Sequence, residues 1–133
     1  MAIAGKVGKI MIGGETPVTI IGIKNWSLDL SLETLETTTL GQDWKNYITG
    51  LKEWTASSDG DYEVHTDENG QKKLQDAFMS GNTVILQMYV NDTDYYQGDC
   101  YINGLSIEDP VDDLVNISIE FTGTGELTYV KGV

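Results

Sequence analysis

Arginine is absent from this chain, and between Lys73 and Lys131 there is no basic side chain at all. The planar guanidinium is the preferred group for bidentate contact with phosphates and base edges, and a nucleic-acid-binding face needs a basic footprint. Here 8 lysines stand against 21 acids, a net charge of −13. That balance excludes direct nucleic-acid binding as a function class. A surface that must not hold DNA looks like this; so does an ordinary acidic protein, which on composition alone is the plainer reading. Cysteine is nearly absent too. Cys100 stands alone, which rules out an internal disulfide, and its strand-like surroundings read as a buried, inert thiol. The single histidine, His65, has Asp61, Glu63 and Asp67 nearby but no nucleophile, and reads as a solvated surface group.

Other absences narrow the field further. No apolar run is long enough to cross a membrane, and Met1 to Lys6 lacks the apolar core of a signal peptide. The chain is therefore expected to stay in a cytoplasm without a membrane anchor, and the Asn-x-Ser/Thr triplets at Asn25, Asn91 and Asn116 are chance matches. No glycine-rich phosphate loop with its lysine occurs. Asp92-Thr93-Asp94 before Gly98 fails as a calcium loop, because Tyr96-Gln97 stands where an acid or amide is needed. Asp109, Asp112 and Asp113 decorate a proline turn. The chain is expected to have no catalytic site, metal or cofactor.

What is present is a β pattern. With 133 residues, 40% hydrophobic, and 15 glycines, the chain suits a single domain over 1–133 that buries its core without staples. Ile3 to Ile12 predicts a first strand ended by Gly13-Gly14. Val18 to Leu30 predicts a long one, with Trp26, Leu28 and Leu30 facing one way and Ser27, Asp29 and Ser31 the other. A further strand is expected from Trp44 to Ala56, a turn at Ser57 to Gly60, and a short extended piece from Asp61 to His65. The segment QKKLQDAFMSG places Leu74, Ala77 and Phe78 at helical spacing, with Gly81 as its stop. Val84 to Val90 and Tyr95 to Ile107 read as a hairpin. The last long strand alternates Val115, Ile117, Ile119 and Phe121 with Asn116, Ser118, Glu120 and Thr122. The sum is a mainly β chain, an antiparallel β-sandwich or flattened barrel of about seven strands with one flanking helix.

Between the second and third strands lies a long polar stretch, about 31–43, Thr-rich and acidic, which reads as a loop. Loops of this length in compact domains tend to be functional or disordered, and nothing in this one is catalytic. It reads as a surface for another protein. Trp54 is expected in the core, and Trp44, at the loop exit, as a contact residue.

Three stretches together, ETTTLGQDWKNYITGLKEWTASSDGDY, QKKLQDAFMSGN running into VILQMYV, and LVNISIEFTGTGELTY, resemble the major tail tube proteins of long-tailed bacteriophages. Gly50, Leu51, Lys52, Trp54, Thr55, Gly60 and Tyr62 carry the first match, Gly81 the second, and Phe121, Gly123 and Gly125 the third. The resemblance implies a virion protein that stacks as hexameric rings into a hollow tube for DNA ejection. It is assembled in the host cytoplasm with tape measure, tail-tip and tail terminator proteins as partners. It further implies a polar wall that DNA passes without binding, for which the candidates are Ser27, Asp29, Asn116, Ser118 and Glu120. The long loop would touch the neighbouring ring, with Leu32, Leu35, Leu40 and Trp44 as apolar anchors. A contractile-tail or secretion-system tube protein would share the fold. A monomeric β-sandwich binding sugars or peptides through Trp44 and Tyr47 is the alternative from another class.

Overall fold

The computed structural model describes residues 8–14, 17–91, 93–111 and 114–132. Among these residues eight strands and one helix follow in the order β1 (Lys9–Ile12), β2 (Val18–Thr19), β3 (Ile23–Glu36), β4 (Tyr47–Asp61), α1 (Gln71–Ser80), β5 (Val84–Tyr89), β6 (Tyr95–Glu108), β7 (Asn116–Gly123) and β8 (Thr128–Val130). Every pairing is antiparallel, and the strands form one continuous sheet in the order β2-β1-β5-β6-β7-β4-β3. β8 continues the line of β7 along the first residues of β6, after a break at Gly125 (φ 88°). The mainly β, antiparallel, one-helix architecture expected from the alternation is the one observed.

One core takes side chains from both ends of the strand order. Ile10 and Ile12 of β1, Leu86 and Met88 of β5, Ile117, Ile119 and Phe121 of β7, and Trp26 and Leu28 of β3 belong to a single cluster. The sheet is therefore folded over on itself. α1 closes it, burying Leu74 and Ala77 and packing along β6. Gly81 ends the helix in the left-handed region (φ 76°) with its N–H on the Ala77 carbonyl, the stop its position predicted.

The helix start is fixed by two buried polar side chains. The Asp67 carboxylate accepts the N–H of Gln71 at 3.0 Å and that of Ile21 at 2.8 Å. Gln71, fully buried, donates to the carbonyls of Ile21 (2.6 Å) and Asp61 (2.9 Å) and accepts the N–H of Glu63 (2.8 Å). These bonds satisfy backbone groups that the meeting of helix and strands partly buries, where a fully buried group left unpaired costs about 1–3 kcal/mol. This one amide thus ties the helix to the β2–β3 turn and to the end of β4.

Several sequence expectations change. Residues 18–30 are not one strand: a turn at Ile21-Gly22 (φ 86°) separates β2 from β3, because β2 pairs at one margin of the sheet and β3 forms the other. Ser57 to Gly60 is not a turn, and no extended piece follows Asp61. β4 runs through to Asp61, and its inward residues Ala56, Ser58 and Gly60 are small because Trp26 and the Gly22 backbone crowd them. The loop expected over 31–43 is shortened and shifted. Ser31 to Glu36 belongs to β3, since Thr34, Leu35 and Glu36 find Thr49, Ile48 and Tyr47 across the ribbon, and the segment outside the strands is 37–46. The first strand covers only Lys9–Ile12 among the described residues, and the positions before Gly8 lie outside them.

Trp54 is buried (3% exposed) at the inward position where β4 leaves the main sheet. Its indole lies flat against Gly98 and Gly123: a Cβ at Gly98 would come within 2.7 Å of the ring, and one at Gly123 would overlap it outright. The indole N–H has no acceptor among the described residues, so close packing rather than a hydrogen bond holds the ring. Trp54→Ala is expected to lower the unfolding free energy by about 3–5 kcal/mol, and Gly123→Ala by about 1–3 kcal/mol through overpacking. Urea unfolding followed by circular dichroism reads both; a Gly123→Ala midpoint equal to the parent's would contradict the packing described.

Candidate functional site

Period-two alternation sends one residue in two of β3, β4, β7 and β6 away from the core, and the register sets these residues in rows across four strands. Asn25, Asp59, Ser118 and Ser106 form one row; Ser27, Ser57, Glu120 and Gly104 the next; Asp29, Thr55, Thr122 and Tyr101 a third. All five residues proposed as a polar wall therefore lie on one face. Ser27, Asp29, Ser118 and Glu120 are exposed and Asn116 is half-buried beside Glu108 and Asp61. The Ser27 and Ser57 hydroxyls meet at 2.8 Å. The bulge between Ile102 and Gly104 lets Gly104 lie under the Glu120 side chain.

The face is acidic as well as polar. Asp29, Glu53, Asp59, Glu108 and Glu120 are exposed on it. Lys24, at the β3 bulge, is held 3.2 Å from Asp61, a partly exposed pair that adds little stability but removes a free cation. Sequence reading missed Ser57 and Asp59, because Ser-Ser-Asp-Gly resembles a turn. The signal that would have found them is the strict alternation of Thr55, Ser57, Asp59 and Asp61 against Trp54, Ala56, Ser58 and Gly60.

The second feature is an arm. β7 pairs with β4 only from Thr55 onward, so Tyr47 to Trp54 pairs with β3 alone. A two-stranded ribbon by itself is marginally stable in water. This one nevertheless exposes Leu30, Leu32, Leu35, Ile48 and Leu51, with Leu40 and Trp44 (84% exposed) at its tip. The four proposed anchors thus share the arm, but Leu32 and Leu35 are strand residues while Leu40 and Trp44 sit in the loop. That loop is braced internally. Gln42 accepts from the Thr39 N–H and the Asn46 side-chain amide, both at 3.0 Å. The Thr38 hydroxyl takes the Asn46 N–H at 2.9 Å, and the Thr37 N–H reaches the Asn46 carbonyl at 2.8 Å. The tip presents its apolar side chains on a built turn.

His65 is exposed in a turn. Asp94 accepts from the Asn91 amide (3.0 Å) and the Gly132 N–H (2.7 Å), which together hold its carboxyl below the usual range; Asp92 and the Asp112–Asp113 pair lie outside the described residues. Among the described residues no three His, Cys, Asp or Glu side chains gather as a metal site, and no helix is long and apolar enough to cross a membrane.

The family model for phage tail tube proteins matches residues 6–129. No curated protein sequence matches. Among solved structures, the tail of an empty gene transfer agent particle, refined helically with C6 symmetry, superposes with a TM-score of 0.86 at 18% identity, covering 97% of this chain and 99% of that one. The SPP1 tail tube gives 0.80 at 16% identity, covering 99% and 80%. The anti-feeding prophage baseplate gives 0.73 at 8% identity, covering 98% and 96%.

Cys100 supplies a chemical check on the core behind the polar face. Burial, and then the neighbouring Asp99 charge, push its thiol up to about 12. A raised thiol pKa means the neutral form prevails at pH 8, and neutral thiols are unreactive. Alkylation at pH 8 is therefore expected to be negligible in the folded protein and complete in urea, as read by mass spectrometry. Rapid labelling without denaturant would contradict this packing.

Proposed function

The chain belongs to the phage tail tube protein family, and from that premise we propose that it polymerises as stacked six-fold rings into the hollow tube of a virion tail, through which DNA leaves. The observation that carries the reading is the acidic face spanning β3, β4, β7 and β6. It is bounded by two free edges: β3 pairs on one side only, and β6 beyond Cys100 has no partner on its β5 side among the described residues. Open edges invite pairing with another chain. Joining β3 of one copy to the free part of β6 in the next turns the four strands of each copy into a closed barrel. Four strands at about 4.8 Å spacing, repeated with the six-fold symmetry of the gene transfer agent tail, give a circumference of about 115 Å. The backbone diameter is then about 37 Å, more once the strands tilt. That admits a duplex and keeps its phosphates within roughly a Debye length, about 8–10 Å, of the wall. Carboxylates at that range repel phosphate without gripping it.

In this reading Ser27, Asp29, Asn116, Ser118 and Glu120 line the lumen, joined by Ser57 and Asp59. Leu32, Leu35, Leu40 and Trp44 on the arm meet the adjacent ring. The whole chain acts as one tube-forming unit with a structural rather than catalytic role, assembled in the host cytoplasm with tape measure, tail-tip and terminator proteins. A monomeric sugar- or peptide-binding module would need Trp44 and Tyr47 together on one platform, whereas Tyr47 opens the paired strand β4 and Trp44 lies in the loop at the arm tip.

Purified protein, concentrated and examined by negative-stain electron microscopy with light scattering, is expected to give hollow tubes. Replacing residues 37–46 by a tight two-residue turn is expected to leave a folded subunit that does not polymerise; normal tubes from it would overturn the role of the arm. Asp29→Lys with Glu120→Lys is expected to give particles that assemble but eject DNA slowly. Ejection at the parental rate would overturn the electrostatic role of the wall.

A further inference from the structure

The acidic sheet has two different ends. β4 enters at Tyr47 on the arm and finishes at Asp61, where its partner Asn116 follows the turn that leaves β6 at Glu108. That far end carries its own exposed apolar group: Ile107 (48%), Val111 (99%) and Tyr62 (36%). It is held against β4 by the Tyr62 N–H on the Val115 carbonyl at 2.8 Å. One residue of the arm tip complements its charge. Glu108 and Asp109 are exposed there, whereas on the tip Trp44 stands between Asp43 and Lys45, and Lys45 has no ion-pair partner among the described residues.

We propose that the arm tip of one copy, through Leu40, Trp44 and Lys45, docks on the β6–β7 turn of a second copy at Ile107, Val111 and Asp109. The inference rests on the tube reading and names the surface that receives the arm. Two unlike patches at opposite ends of one molecule form a heterologous contact, which propagates as an open filament rather than closing as a dimer. It also covers apolar side chains that a lone subunit leaves in water at both ends.

The contact fixes a length. The axial repeat is then the span of β4, whose 15 residues at about 3.3 Å each reach about 50 Å. With strands tilted by roughly 40° in a barrel, that projects to about 38 Å along the tube. An arm that instead ran past the turn onto the body of the next copy would shorten the repeat toward the length of β7 alone, about 26 Å before tilt for its 8 residues.

The test pairs a covalent trap with a charge exchange, using the full chain. Asp43→Cys combined with Val111→Cys, oxidised after assembly, is expected to give a ladder of covalent multimers on a non-reducing gel, and each single variant none beyond dimers. Lys45→Glu is expected to reduce polymerisation at least tenfold, and adding Asp109→Lys to restore it. Tubes that form normally with no ladder, an unimpaired Lys45→Glu variant, or a repeat near 20 Å would overturn the docking and leave the tube reading standing. Failure of the unmodified protein to form tubes, even with a preformed tail-tip complex added, would overturn the tube reading and the docking with it.

Discussion

The packing of the Trp54 indole against two glycines is the constraint from which the rest follows. Gly98 on β6 and Gly123 on β7 have no side chain because the ring occupies that space. The tryptophan therefore locks β4 to β7 beside it and to β6 one strand further on, at the last place where all three run together. Beyond it, toward Tyr47, β4 has only β3 for company. A firm hinge with a ribbon projecting from it transmits force and position. The same ribbon on a loose hinge would be a flexible tail, and the arm's apolar side chains would meet a partner only after losing more conformational entropy.

On one side of the sheet a closely packed apolar core fixes the curvature; on the other, polar rows follow from the same alternation. The two faces are not independent, since moving the register by one residue would exchange them. The serine and carboxylate rows are thus held in place by Ile117, Ile119 and Phe121 behind them. The acid excess then has a location rather than being merely a property of the composition: lysine is nearly missing from that face, and the one lysine at its margin is bound to Asp61. At the opposite corner, Gln71 and Asp67 perform the complementary task. They satisfy the backbone at the place where two strands and the helix converge, so the chain can reverse there without burying unpaired amides.

How much of this could be read in the sequence depends on the residues concerned. β7 was fully legible, since Ile117, Ile119 and Phe121 alternate with polar residues and no turn former interrupts them. The helix was legible from Leu74, Ala77 and Gly81. β4 was cut short because Ser57-Ser58-Asp59-Gly60 has the composition of a turn. Those small residues are there to make room for Trp26 and the Gly22 backbone, a tertiary reason invisible along the chain. Likewise the Thr-rich run after Ser31 looked unstructured, because a ribbon paired to one neighbour buries little and leaves no inside-outside pattern. The glycines of the Phe-x-Gly-x-Gly ending belonged to the resemblance, but only the fold explains Gly123. Of the candidate wall residues, all five share a face, as the alternation predicted. Of the candidate anchors, the alternation could not say that Leu32 and Leu35 stand on a strand while Leu40 and Trp44 cap it.

The central claim is that the acidic face lines an enclosed channel. Thiol accessibility at Ser118→Cys tests it most directly, comparing a small maleimide with a large polymer-linked one on free subunits and on assembled tubes. The account predicts that both reagents label the free subunit, while in tubes the small one still reacts and the large one is excluded. Equal labelling of the tubes by the large reagent would put that face on the outside and contradict it.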